Sequence, residues 1–126
     1  YIYNDDARDL IKYLPDRIID HLYILFPDPW PKKKQKKRRI INQNSLELFH
    51  IKLKLGGKLT IATDYYDYAT QIFECIQFSN FDVIDQVTPN SLNEFIIKPT
   101  DWIETKYELK AQATNSIIYY FQLCSA

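Results

Sequence analysis

The order of apolar segments predicts an α/β fold built on a mostly parallel sheet. Short continuous apolar runs, as in "HLYILF" at 21–26, have the pattern of strands buried on both faces. Between them lie stretches with apolar residues at helical spacing, as in "DDARDLIKYL" at 5–14. Strand and helix alternate along the chain, which favours parallel pairing through crossover helices.

Taken in order, "YIY" at 1–3 is the tail of a strand. The helix over 5–14 carries Ala7, Leu10, Ile11 and Leu14 on one face, with Asn4 or Asp5 as its cap and Pro15 closing it. The strand at 21–26 runs into "PDPWP", which cannot continue a sheet and so forms a loop at the strand's carboxyl end. A helix is expected over 41–55 from Leu46, Phe49 and Leu53, with Gly56 and Gly57 stopping it. "KLTIAT" at 58–63 is a strand ending at Asp64, which is placed to cap a helix over 65–78. "FDVIDQV" at 81–87 alternates as a strand. Residues 88–103, with Pro89 and Pro99, make a loop; 105–113 is a short helix and 116–123 a final strand.

The chain has 126 residues, 46% of them apolar, enough for about one domain. It opens at Tyr1 and contains no Met, so missing N-terminal sequence is expected. Its formal charge is zero, yet residues 32–39 hold 7 of the 16 cations, leaving 9 cations against 16 acids elsewhere, a net of −7. Cations concentrated in one stretch make a place for a polyanion. Cys75 and Cys124 stand apart, with no CxxC spacing, and fit small core residues in a reducing compartment. No apolar run approaches the roughly 18 residues of a membrane span, and no signal peptide is visible, so a cytoplasmic location is expected. His21 and His50 lack convergent partners, so no metal site is expected.

In open α/β sheets, ligands sit at the carboxyl ends of strands. Three acids fall there: Asp6, Asp28 and Asp64. Asp28 stands between Pro27 and Pro29, each of which fixes its own φ and restricts its predecessor. The bland alternative is a stiff turn with a solvated acid. Beside the basic run, the carboxylate has a use: it can accept both the N1 proton and the exocyclic amine of a guanine. Trp30 next to it offers stacking, worth roughly 1–3 kcal/mol per base. "KKKQKKRR" at 32–39 is either a solvated charge run or a phosphate-binding segment, and its place on a strand-end loop favours the second. Thr105 and Glu108 have capping-box spacing. The other reading sets the Thr hydroxyl and Glu carboxylate against a substrate base, with Lys106 facing phosphate.

"LFPDPWPKKKQKKRR", then "GGKLTIATDYYDYA", then "TKYE", in this order and spacing, resemble the bacterial tRNA (guanine-N7-)-methyltransferases over nearly the whole chain. The resemblance implies a Rossmann-like S-adenosylmethionine-dependent methyltransferase fold with an antiparallel last strand. It also implies methyl transfer to a guanine N7 in the tRNA variable loop. Residue by residue, it implies that Asp28 is catalytic and lies near the cofactor, and that Asp6 lies near the cofactor's adenine. It makes Lys32, Asp64, Thr105, Lys106, Tyr107 and Glu108 substrate-binding. It assigns Lys34, Gln35, Lys36, Lys37, Arg38 and Arg39 to tRNA contact. The family's Gly-rich cofactor loop lies upstream of the matching region, and the two adjacent glycines here cannot supply one. Residues 1–126 are therefore expected to be one partial, substrate-side domain, with tRNA as partner, no membrane, and a separate chain as one source of the N-terminal half. The alternative is an inactive RNA-binding remnant that keeps the basic loop. Guanine N7 has a lone pair and no proton, so alignment rather than a strong base supplies most of the acceleration.

Overall fold

The computed structural model describes residues 7–84, Phe95 and residues 117–125. The elements run α1 (Ala7–Lys12), β1 (Ile19–Leu25), a 3-10 segment (Lys33–Arg38), α2 (Gln43–Lys52), β2 (Leu53–Thr63), α3 (Tyr66–Gln77), β3 (Phe81–Val83) and β4 (Tyr119–Ser125). The four strands form one sheet in the order β1-β2-β4-β3. β1 and β2 pair in parallel, whereas β4 is antiparallel to both β2 and β3. Three strands thus share one direction and the last strand opposes them, as expected. The expected strand at 1–3, the loop over 88–103 and the helix over 105–113 lie outside the described residues, save Phe95.

Period-2 alternation sorts the sheet's faces. Leu59 and Ile61 of β2, Phe121 and Leu123 of β4, and Ile24 of β1 are buried in one core with Ile11 of α1, Leu46 and Phe49 of α2, and Tyr68, Ile72 and Ile76 of α3. Ala62, Ile118 and Tyr120 form a smaller cluster with Leu25 and Phe26. Lys52, at the end of α2, is 8% exposed; its Nζ donates to Leu14 O at 2.7 Å and to Asp16 Oδ1 at 2.8 Å, pinning the turn between α1 and β1.

Two boundary expectations are corrected. Gly56 and Gly57 do not stop α2. The helix ends at Lys52, and Leu53 turns extended (φ −78°, ψ 143°) while its N–H still bonds Phe49 O. Leu53 is fully buried as the first residue of β2, so the helical spacing runs on into the strand by coincidence. The glycines instead serve an irregularity in β2, where the register jumps from Ile19↔Leu53 to His21↔Lys58. Gly56 has φ 78°, and a Cβ on Gly57 would come within 2.8 Å of the Lys54 carbonyl oxygen and 3.2 Å of the Ile19 oxygen. Both are backbone atoms that cannot swing away, so Gly57→Ala should destabilise the chain by about 1–3 kcal/mol, as a lower urea midpoint at unchanged slope would show. Asp64 is also not the cap of α3. That position is Tyr65, which makes no side-chain cap bond. Thr63 Oγ1 accepts the Tyr65 N–H at 3.2 Å.

A candidate nucleic-acid interface

β1 and β2 end together. Leu25 is in register with Ala62, and Phe26 N–H donates to Ala62 O at 2.7 Å. Asp28 follows three residues after the end of β1, and Asp64 directly after β2; both are exposed. Neighbouring parallel strands therefore set the two acids at the same carboxyl edge of the sheet, as the sequence suggests.

The Asp28 loop carries backbone strain beyond the restriction its prolines impose. Phe26 has φ 51° and Trp30 has φ 42°. Both are bulky residues in the left-handed region and both precede a proline, a combination that sterics disfavour at about 1–3 kcal/mol each. Asp28 stands midway between these two strained turns. The left-handed turn at Phe26 ends β1, and the Phe26 side chain packs against the Ala62–Ile118–Tyr120 cluster.

Past Pro31 the basic run winds into a 3-10 helix over Lys33–Arg38. Its period of three eclipses positions i and i+3, which sorts the run into stripes. Lys34 and Lys37 lie on one stripe and are exposed; Lys33 and Lys32 are exposed as well. Gln35 and Arg38 lie on the second, with the Arg38 guanidinium 5.2 Å from the Trp30 ring centre. One face of Trp30, expected to stack on a base, thus carries Arg38. Lys33, Lys36 and Arg39 lie on the third stripe; Lys36 and Arg39 face α3, whereas Lys33, at the start of the segment, is exposed. Lys36 Nζ is 3.0 Å from Asp67 Oδ2 and is partly exposed.

Arg39 departs most from expectation. The resemblance places it with its neighbours at the RNA, yet it is 1% exposed and all of its nitrogens donate inward. Nε donates to Pro29 O at 2.6 Å, Nη1 to Gln71 Oε1 at 2.6 Å and Nη2 to Asp67 Oδ2 at 2.8 Å. The guanidinium lies 4.7 Å from the Tyr68 ring centre. A buried charge is tolerated only when paired and hydrogen-bonded, and here it is both. Its partners are themselves held: Tyr68 Oη accepts the Ile41 N–H at 2.9 Å, and Gln71 Nε2 donates to Ile41 O at 3.1 Å. Downstream, Asn42 and Ser45 exchange side-chain and backbone bonds in a capping box that starts α2.

Hydrogen bonds from Arg39 and then Lys36 hold the Asp67 carboxyl below its usual pKa, against an opposing effect of burial. The folded state therefore favours charged Asp67. That contribution is complete above the ordinary carboxylate pKa and is lost as pH falls through the lowered one. Asp67, Gln71 and Tyr68 carry no motif in the sequence; only the i, i+4 spacing of Asp67 and Gln71 on the α3 pattern hints at a shared face. Asp6, Thr105, Lys106, Tyr107 and Glu108 lie outside the described residues. Among the described residues there is no group of three or more potential metal-binding side chains, and no helix long and apolar enough to cross a membrane. Cys75 and Cys124 are free and half-buried, and burial raises the Cys75 thiol pKa.

A sheet with helices packed on one face, an antiparallel last strand and two acids at its carboxyl edge is an α/β arrangement of the Rossmann-like kind. A solved chain from Thermus thermophilus, described as a "Putative DNA Modification Methylase", superposes with TM-score 0.51 at 15% identity, covering 95% of this chain and 51% of the other. The chain matches a family described as "Putative methyltransferase" over residues 1–121 and belongs to that family. Its curated relatives carry the name tRNA (guanine-N(7)-)-methyltransferase. The one from Rhizobium etli is 38% identical over 112 residues, covering 88% of this chain and 47% of the relative. That from Zymomonas mobilis is 36% identical over 124 residues, covering 96% and 51%. The resemblance read from the motifs is thereby borne out, and the chain spans about half the length of these relatives.

The relatives' reaction implies S-adenosylmethionine. The described residues do not by themselves make its cradle. The chain has only two glycines, and both sit near the start of β2, at the end of the sheet away from Asp28 and Asp64. What the described residues offer is two exposed carboxylates, Asp28 and Asp64, at the carboxyl edge of the sheet.

Proposed function

We propose that this chain is the tRNA-binding, base-orienting part of a methyltransferase acting on guanine N7 in tRNA. The observation that carries the reading is the pairing of Asp28 with the 3-10 segment. A carboxylate held between two strained aromatic turns stands immediately before a helix that turns Lys33, Lys34 and Lys37 to solvent. The names of the curated relatives supply the substrate and the reaction class. When bound, S-adenosylmethionine would supply the methyl group. The chain's own residues bind and orient the acceptor: Lys32, Lys33, Lys34 and Lys37 hold the backbone phosphates, while Asp28 and Asp64 face the base. Thr105 to Glu108 complete the substrate side in this proposal and Asp6 the cofactor side. Because N7 needs no deprotonation, Asp28 acts by position and charge.

The test is methyl transfer from labelled S-adenosylmethionine to tRNA, read as N7-methylguanosine by mass spectrometry of the nucleosides. It is run with the chain alone and with the chain supplemented by the N-terminal half of a relative. Product in the supplemented reaction supports the proposal, and none there refutes it. A second reading, an RNA-binding module without transfer, is favoured by the position of Gly56 and Gly57 far from the acids; tRNA binding without product in either reaction supports it. The chain alone should bind S-adenosylmethionine weakly or not at all, because no glycine lets backbone approach the ligand at the carboxyl edge. Calorimetric titration giving a micromolar or tighter constant, on the order of −8 kcal/mol, would contradict this.

A further inference from the structure

We infer that Arg39 is the positioning residue of the Asp28 loop rather than one of the phosphate contacts of the basic run. The inference rests on the proposed role of Asp28, but its physical core does not.

The Asp28 loop is anchored at its start by the Phe26 N–H on Ala62. Beyond Asp28, two strained or proline-bound residues must be kept in place, and Pro29 has no N–H with which to anchor itself. Its carbonyl is the group through which the loop can be held from outside. Arg39 Nε supplies that bond at 2.6 Å, one residue from Asp28. The other end of the same guanidinium is fixed to α3 by Gln71 and Asp67 and lies over Tyr68. The planar fork of donors lets a single side chain bond a carbonyl, an amide oxygen and a carboxylate at once; a lysine ammonium reaches from one point and cannot reproduce this. The position of α3 in the core, set by Tyr68, Ala69, Ile72 and Ile76, is thereby transmitted to the backbone beside the carboxylate. Lys36, one 3-10 turn earlier, shares Asp67 and fixes the rotation of the basic segment, so that Lys34 and Lys37 point away from α3.

The inference separates Arg39 from its exposed neighbours in two measurable ways. In a Trp102→Phe background Trp30 is the chain's one tryptophan, and its quenching by acrylamide reports how firmly the loop is held. Arg39→Gln and Arg39→Lys should both raise the quenching constant, by about twofold for local loosening, under conditions where a urea titration shows the chain folded. Gln71→Leu, which removes a partner remote from the loop, should raise it by a smaller amount. Gly57→Ala, which destabilises the far end of the sheet, should leave it unchanged. On tRNA, Arg39→Gln should leave the slope of log affinity against log salt as in the unmodified chain, whereas Lys34→Gln should lower it by roughly 0.7–0.9. If Arg39→Gln does not fold, Gln71→Leu and Arg39→Lys carry the test. Unchanged Trp30 quenching in the Arg39 and Gln71 variants would overturn the inference, and so would a slope loss in Arg39→Gln equal to that of Lys34→Gln. If the unmodified chain fails to bind tRNA, the proposed function falls, and the quenching series alone decides the role of Arg39.

Discussion

Replacing Lys33, Lys34 and Lys37 together with alanine is expected to weaken tRNA binding by about two orders of magnitude at 0.1 M salt, through three lost phosphate contacts at roughly 0.7–0.9 of slope each. These three side chains are exposed on the 3-10 segment and make none of the bonds that hold it to α3. Folding should therefore be nearly unaffected, since surface substitutions of this kind usually stay within about 0.5 kcal/mol. The slope of log affinity against log salt should fall by about 2 to 3, so a fourfold rise in salt costs the variant about 30-fold less than it costs the unmodified chain. Filter binding across a salt series measures both quantities. An unchanged slope would remove the basic run from the interface. A parallel triple replacement that includes Lys36 and Arg39 would not isolate this effect. It would also remove the pair with Asp67 and leave the Pro29 carbonyl without its donor.

The second large effect is expected at Asp28. If the proposed methyl transfer is reconstituted, Asp28→Asn should lower turnover by about 10²–10³-fold, the order lost when one preorganised polar group at a reacting centre is removed. The tRNA dissociation constant should change by less than about twofold, because phosphate contacts dominate affinity. Guanine presents two donors, N1–H and the exocyclic amine, and a carboxylate accepts both. The asparagine amide accepts one and turns its own N–H₂ against the other. The stiff loop makes the substitution clean, since Phe26, Pro27, Pro29 and Trp30 hold the backbone whatever residue stands between them. Transfer rates paired with binding constants check this. A large loss of affinity with unchanged turnover would make Asp28 a binding contact only. Neutralising the acid also removes its repulsion of nearby phosphate, so a slight gain in affinity agrees with the expectation.

Under the proposed function, the opposition of charge in "FPDPWPKKKQKKRR" is a division of labour: the outward cations would hold a polyanion without reading it, and Asp28 would select within it. Arg39, turned inward, bonds the Pro29 carbonyl beside that acid.

The sequence by itself determined the alternation of strand and helix, the opposed last strand through its family resemblance, the loop at Asp28, the acid after β2 and the concentration of cations. These features are local. Apolar run length, proline geometry and charge density act within a few residues of where they are written, and sequence order carries them directly. Only the tertiary structure decided which cations face solvent. Arg38 and Arg39 are adjacent and chemically the same, yet one is exposed over Trp30 and the other is buried against α3. Asp67 and Gln71, the partners that draw Arg39 inside, stand 28 and 32 residues away along the chain. No window around residue 39 contains them. The role of Gly56 and Gly57 escapes local pattern for the same reason. The irregular register that needs them is set by pairing with Ile19 and His21 on another strand, a contact no short window encodes. Burial of a charge depends on distant partners arriving with the right geometry, and that is settled by packing, not by propensity.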